Sequence, residues 1–294
     1  MNSTSEQQDA QHLRMTTAPV PGLILSLSVP SIITCIITSV YNMADTFFVA
    51  QLGTAAVAAV GVVFSISSVL SALGFWMGTG GSSLVSLYLG AREKEKAHCA
   101  ASTGFFLALG LGGVIAAGGL LALEPLMRLL GSTDTILPEA EAYAVPILLA
   151  APFHCSSLAL AQCLRAEGKS KESMAGQLAG GLLNIVLDPL FIYTLGMGIR
   201  GAGAATALSQ VMVWAALLWF YVRGKTSVRI SVRQVARTPR MVKLIFTTGF
   251  PSLCRHCGNA LATIVLNRAA GGFGDAAIAA FSIASRVSGL ALSV

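Results

Sequence analysis

Long apolar stretches, most exceeding the roughly 20 residues that cross a bilayer core, alternate along this chain with short polar breaks. The pattern predicts helices over 22–48, 56–89, 99–123, 138–163, 172–195, 203–222, 241–267 and 276–294. Residues 1–20 are polar and read as a cytoplasmic tail. A cleaved signal is the poorer reading, because the apolar run that follows is too long and lacks a small-x-small cleavage site. One break is longer than the others: 224–240, opening GKTSVRISVRQVARTP. It reads as a basic cytoplasmic linker between a six-helix transmembrane lobe, 21–223, and the start of a second lobe, 241–294. Its arginine spacing fits either an amphipathic helix lying near anionic lipid or a solvated basic loop.

The chain partly repeats itself. Shifted by 221 positions, Pro30-Ser31 falls on Pro251-Ser252. Without a gap, Gly53-Thr-Ala-Ala-Val-Ala-Ala59 then falls on Gly274-Asp-Ala-Ala-Ile-Ala-Ala280, with five of seven residues identical. Internal repeats of this kind build many transporters. Val294 corresponds to Leu73 of the first copy, so a complete second copy would bring the total to roughly 440 residues. The expected fold class is therefore an all-α polytopic membrane protein. It would have one complete six-helix lobe and the first two helices of a parallel-repeat second lobe, the second of them cut short. A chain ending there is expected not to confer efflux by itself.

Composition agrees with the membrane reading. Hydrophobic residues make up 54% and charged residues 11%, where soluble domains carry about 25% charge. The net charge of +6 does not point to nucleic acid, because the Lys and Arg flank apolar runs and lack interleaved aromatics. Arg92, Lys94 and Lys96 mark one loop, Arg165, Lys169 and Lys171 a second, and seven cations between Arg223 and Lys243 a third. The alternate breaks carry only Arg128, Arg200 and Arg268. The positive-inside rule then puts the N-terminus in the cytoplasm. Six helices separate the repeat copies, so both would share one orientation, related by an axis along the membrane normal. The cysteines, at 35, 99, 155, 163, 254 and 257, are scattered through apolar runs and form no disulfide framework. Cys254 and Cys257 have CxxC spacing, but a closed zinc site needs four ligands and no second pair follows.

Chemistry enters with acids inside apolar helices. Asp45 lies in YNMADTFFV, and Asp188 in LLNIVLDPLFIY with Asn184 four residues before it. That spacing stacks Asn184 and Asp188 on one helical face. A carboxylate at the bilayer centre costs about 2.5–3.5 kcal/mol even on the lenient insertion scale, so it should face the bundle interior with a partner, a proton or a cation. A structural hydrogen bond between helices is the plainer alternative. Pro30, Pro189 and Pro251 interrupt helices and are candidate kinks, Pro30 a candidate hinge.

These residues carry a resemblance. Pro30, Tyr41-Asn-Met-Ala-Asp-Thr46 with Leu52-Gly-Thr-Ala-Ala56, Leu164-Arg-Ala-Glu-Gly168, Asn184-x-x-x-Asp188-Pro189 and Gly201-Ala-Gly-Ala-Ala-Thr206 resemble the multidrug and toxic compound extrusion (MATE) transporters, prokaryotic type. The resemblance runs from about residue 20 to the end. It implies twelve helices in two pseudo-symmetric lobes that export amphipathic, mostly cationic compounds by alternating access, with no enzymatic activity. It further implies a coupling site for H+ or Na+ at Asp45, Asn184, Asp188 and Thr206, with no other cofactor or metal. The implied partners are a small-molecule substrate and the lipid bilayer of a bacterial cytoplasmic membrane, and the full-length protein would be a monomer.

Gln162, Arg255, Asn267 and Arg286 are candidates for the substrate cavity. The predicted helix over 241–267 has no Asp or Glu, so the second-lobe acidic site of some family members is not expected. Interior arginines at 255 and 286 would oppose a cation. They keep open an alternative, a flippase or exporter of lipid-linked or anionic compounds.

Overall fold

The computed structural model describes residues 19–224, 226–236 and 239–292, and among these every long element is a helix. They are α1 (Val20–Ala50), α2 (Thr54–Gly90), α3 (Lys94–Leu121), α4 (Leu123–Leu129), α5 (Leu137–Ala166), α6 (Ser170–Pro189), α7 (Ile199–Val222), α8 (Pro239–Gly271) and α9 (Asp275–Leu292). Six helical segments among the described residues are long and apolar enough to cross a membrane, and they lie in α1, α2, α3, α5, α6 (continued to Thr194) and α7. The chain is an all-α, multi-pass membrane protein. The short α4 was not expected from sequence; its Arg128 pairs with Glu124 at 3.0 Å and Asp134 at 2.7 Å on the exposed surface. The predicted tail falls mostly outside the described residues.

The bundle is built around α2. Of its most apolar stretch 67% is buried within the protein, against 22% for α1. Glycine makes this centrality feasible, since small residues let helix backbones approach closely where lipid offers no hydrophobic drive. A β-carbon on Gly78 would lie 3.0 Å from the backbone of Ala159 in α5, and one on Gly80 would strike the Ile245 carbonyl of α8. The fit of α8 against α2 is completed by Trp76, whose indole N–H donates to the Phe246 carbonyl at 3.0 Å. Of the glycines in α3, Gly112 and Gly119 meet α5 closely, whereas Gly110, Gly113 and Gly118 face open space.

Two irregular segments have consequences for function. At Asp188-Pro189 the α-helix gives way to a π-type turn, Leu190–Thr194. Proline lacks the N–H that would continue the ladder, and wider turns of this kind absorb the break. The second segment is 226–236, for which an amphipathic helix or a free loop was expected. It is neither: it runs as a strap with one 3-10 turn, Val232–Gln234, laid along the bundle. Its backbone N–H groups are capped by bundle side chains: Ser227 donates to Glu167, Arg229 to His98 Nδ1, Ser231 to Ser102 Oγ and Ala236 to Thr103 Oγ1. These bonds give an otherwise unpaired extended backbone the partners it requires.

Candidate functional site

Helices α1, α2, α5, α6 and α7, with one side of α8, surround a cavity of about 740 Å³. Asp45 of α1, Asn184 of α6 and Thr206 of α7 all line it. Asp188 lies one helical turn behind Asn184, fully buried, and accepts a hydrogen bond from Asn184 Nδ2 at 3.1 Å. Asp45 is 4% exposed and Asn184 1%. The two carboxylates are near enough for their charges to interact. Asn184 Oδ1 and Asp188 Oδ2 are buried with no hydrogen-bond partner among the described residues. Buried oxygens of this kind are costly unless a proton or cation meets them. The arrangement is thus a cluster of oxygen donors, two of them acidic, with an opening to a cavity.

Three features missed by the sequence reading hold this cluster together. Tyr143, near the start of α5, donates its hydroxyl hydrogen to Asp45 Oδ2 at 3.4 Å. Tyr193, in the π-type turn after Asp188, donates to the Phe48 carbonyl of α1 at 2.7 Å, which fixes the end of α6 beside the Asp45 segment. Gly181 brings α6 against α1, where a β-carbon would sit 3.2 Å from the Tyr41 ring, and Gly203 lets α7 close on the Tyr143 backbone. The two apolar-helix acids were visible as anomalies. The tyrosine that bonds one of them, 98 positions away in sequence, carried no local signal.

The other candidates are placed unequally. Gln162 lines the cavity and its Oε1 accepts from Arg165 Nε at 3.1 Å. Asn267 is buried elsewhere: it donates to the Gly61 carbonyl and to Ser65 Oγ, both at 3.2 Å, and ties α8 to α2. Arg255 is exposed and is not on the cavity wall; its neighbour His256 is. One residue along a helix is about 100° of rotation, which turns Arg255 away from the face that carries His256. The side chain of Arg286 lies outside the described residues. Pro30 is buried inside α1, and its carbonyl accepts the Thr34 hydroxyl at 2.8 Å. Among the described residues no cluster of three or more His, Cys, Asp or Glu side chains could hold a metal ion.

Comparison with known proteins decides the family. The MatE profile matches residues 30–190, more than half of the chain. This chain belongs to the MatE family. The multidrug export protein MepA of Staphylococcus saprophyticus is 29% identical over 265 residues, covering 90% of this chain and 59% of MepA. The solved inward-facing conformation of a multidrug resistance MATE family transporter of the MOP superfamily superposes with a TM-score of 0.81 at 33% identity, covering 92% of this chain and 64% of that one. An outward-facing conformation described in the same words gives 0.78 at 31% identity, covering 91% and 63%. The chain therefore spans about three fifths of the length of the relatives it matches.

Proposed function

We propose that this chain forms the ion-coupled part of a multidrug exporter that works by alternating access. In this reading 21–223 is one six-helix lobe, 224–240 the linker and 241–294 the start of the second lobe, with the N-terminus in the cytoplasm. The observation that carries it is the Asp45–Asp188 pair, buried among helices yet reached through Asp45 and Asn184 from a cavity large enough for a drug-sized molecule. Two carboxylates in a low-dielectric pocket cannot both carry their charge cheaply. They hold a proton between them, or Na+ on the carboxylates with the Asn184 and Thr206 oxygens, since hard cations take oxygen ligands. Exchange of that ion for an amphipathic cation changes the charge inside the lobe, and the bend of α1 at Pro30 is the element it biases. The relatives named above, an export protein and a transporter solved facing both ways, support the class of activity.

The test is ethidium extrusion by cells lacking their own pumps and expressing the transporter gene that carries this sequence. Asp45→Asn and Asp188→Asn each bring gradient-driven extrusion to background while the protein still reaches the membrane. Wild-type rates in both variants, with and without Na+, would show the cluster to be structural.

A further inference from the structure

The strap between α7 and α8 carries charge that the bundle does not use. From Arg223 to Lys243 the sequence has seven cations and no Asp or Glu. The strap is held inward by its backbone, through the bonds to Glu167, His98, Ser102 and Thr103, and by Val228, which is buried. Arg229 and Arg233 are exposed, and Val232 beside them is 72% exposed. Among the described residues neither arginine has a carboxylate within ion-pair distance. Two guanidiniums with their donors unspent thus flank an apolar side chain on one outer surface.

Depth decides what meets them. In α3 the residues from Gly104 to Leu121 are apolar or glycine. These 18 residues rise roughly 27 Å, close to the thickness of a bilayer's hydrocarbon core. The strap is bonded to α3 at His98, Ser102 and Thr103, immediately outside that run. From His98 to Thr103 the helix rises about 7.5 Å, and the headgroup layer on each face of a bilayer is about 5–7 Å thick. Arg229 and Arg233 therefore stand at the level of lipid phosphates. There an exposed valine is in place as well, since its methyl groups reach the acyl boundary while the cations stay among the headgroups.

We infer that the strap is a binding surface for anionic phospholipid, with Arg229 and Arg233 on the headgroup phosphate and Val232 against the start of the acyl chain. Guanidinium suits this ligand, because its planar fork meets two phosphate oxygens at once. A dissolved anion would feel the same charge, but only a lipid supplies both the phosphate and the apolar contact at that depth. Phosphatidylcholine offers its phosphate with a compensating cation, so the surface prefers lipids of net negative charge.

The test places the whole chain in nanodiscs that mix phosphatidylglycerol and phosphatidylcholine, with one or the other brominated, and uses Val232→Trp as a reporter. The quenching that this substitution adds over the wild-type chain tells which lipid lies on the strap. It should show a preference for phosphatidylglycerol of about tenfold or more at low salt, the effect of two cations at an anionic surface. The preference should shrink several-fold at about 0.5 M salt. Arg229→Gln together with Arg233→Gln should bring it to about one, while Lys at both positions keeps part of it, because the charge remains and the fork is lost. Both residues bond the fold through their backbone N–H groups, to His98 and Ser231, so the substitutions leave the strap seated. Equal quenching by the two lipids with the arginines intact, or a preference that survives both Gln substitutions, would overturn the proposal. No added quenching by either lipid would do the same, by placing the strap in water. Loss of the preference on adding about 10 mM inorganic phosphate at constant ionic strength would reassign the arginines to a dissolved anion and overturn it as well. Arg229, Val232 and Arg233 do not line the cavity, so the export reading stands whichever result is found.

Discussion

Asp45 and Asp188 within the bundle, and Glu167 just past the end of α5, are all carboxylates with 4% exposure or less. Their partners differ in kind. Glu167 is gripped by the strap and by its own loop: the Ser227 backbone N–H and the Lys169 ammonium both address Oε2. Asp45 and Asp188 are met by a phenol and a carboxamide from other helix turns, and Asn184 and Asp45 face a cavity. Burial alone therefore does not mark an exchange site. A carboxylate clamped by a backbone donor is a latch, whereas one held by side chains beside a cavity has the access that the proposed ion exchange needs.

The sharpest way to break this contrast is to neutralise one member of each set. Asp45→Asn and Asp188→Asn should each weaken binding of a lipophilic cation such as tetraphenylphosphonium by about 30-fold or more, as loss of one partner of a desolvated charge contact does. Glu167→Gln should leave that affinity within about threefold. If Glu167→Gln abolishes binding and the aspartate variants do not, the roles are reversed.

The latch has its own signature in pH. Burial pushes the Glu167 carboxyl up to about 7, against the pull of the Ser227 and Val228 donors and Lys169. Between about pH 4.5 and 7 the folded chain then holds a proton that the unfolded chain has shed, so stability falls as pH rises through that window and stays low above it. The full effect is on the order of 3 kcal/mol. Thermal unfolding from pH 5 to 8 should show the decline in wild type and a flatter profile in Glu167→Gln. A wild-type stability that rises with pH across that window contradicts the assignment.

A smaller effect sharpens the latch further. Glu167→Ala leaves the strap donors without their acceptor, and hydrogen exchange at the Ser227 amide should quicken about tenfold, the loss of one hydrogen bond to a charged group. No change there would mean that His98, Ser102 and Thr103 hold the strap unaided. The smallest effect is expected at Tyr143→Phe. Its bond to Asp45 is long, at 3.4 Å, and removing it should weaken cation binding by about two- to fivefold.

Much of this was legible in the chain because it is written at short range. Apolar length gave the helices, and i, i+4 spacing put Asn184 against Asp188, where the hydrogen bond is found. What could not be read depends on contacts between distant segments. Tyr143 reaches Asp45 only because Gly203 and Gly181 let α5, α6, α7 and α1 close together. Arg165 looked like a topology signal because Lys169 and Lys171 follow it closely, yet it lies in the last turn of α5 and lines the cavity. Arg255 looked interior because its run is apolar, but α8 buries the face of Ile245, Gly249 and Ser252, and Arg255 is exposed. The strap had no period to read; side chains of α3 and the α5 terminus decide its path.

Ion exchange at the aspartate pair is the step on which the proposed export depends most directly. The measurement is proton release on tetraphenylphosphonium binding by the chain in nanodiscs, in weak buffer between about pH 6 and 8, with and without Na+. About one proton should be released per cation bound, or cation affinity should fall as Na+ is added, with neither response in Asp45→Asn. Cation binding by the wild-type chain that releases no proton, does not change with pH and ignores Na+ would contradict it.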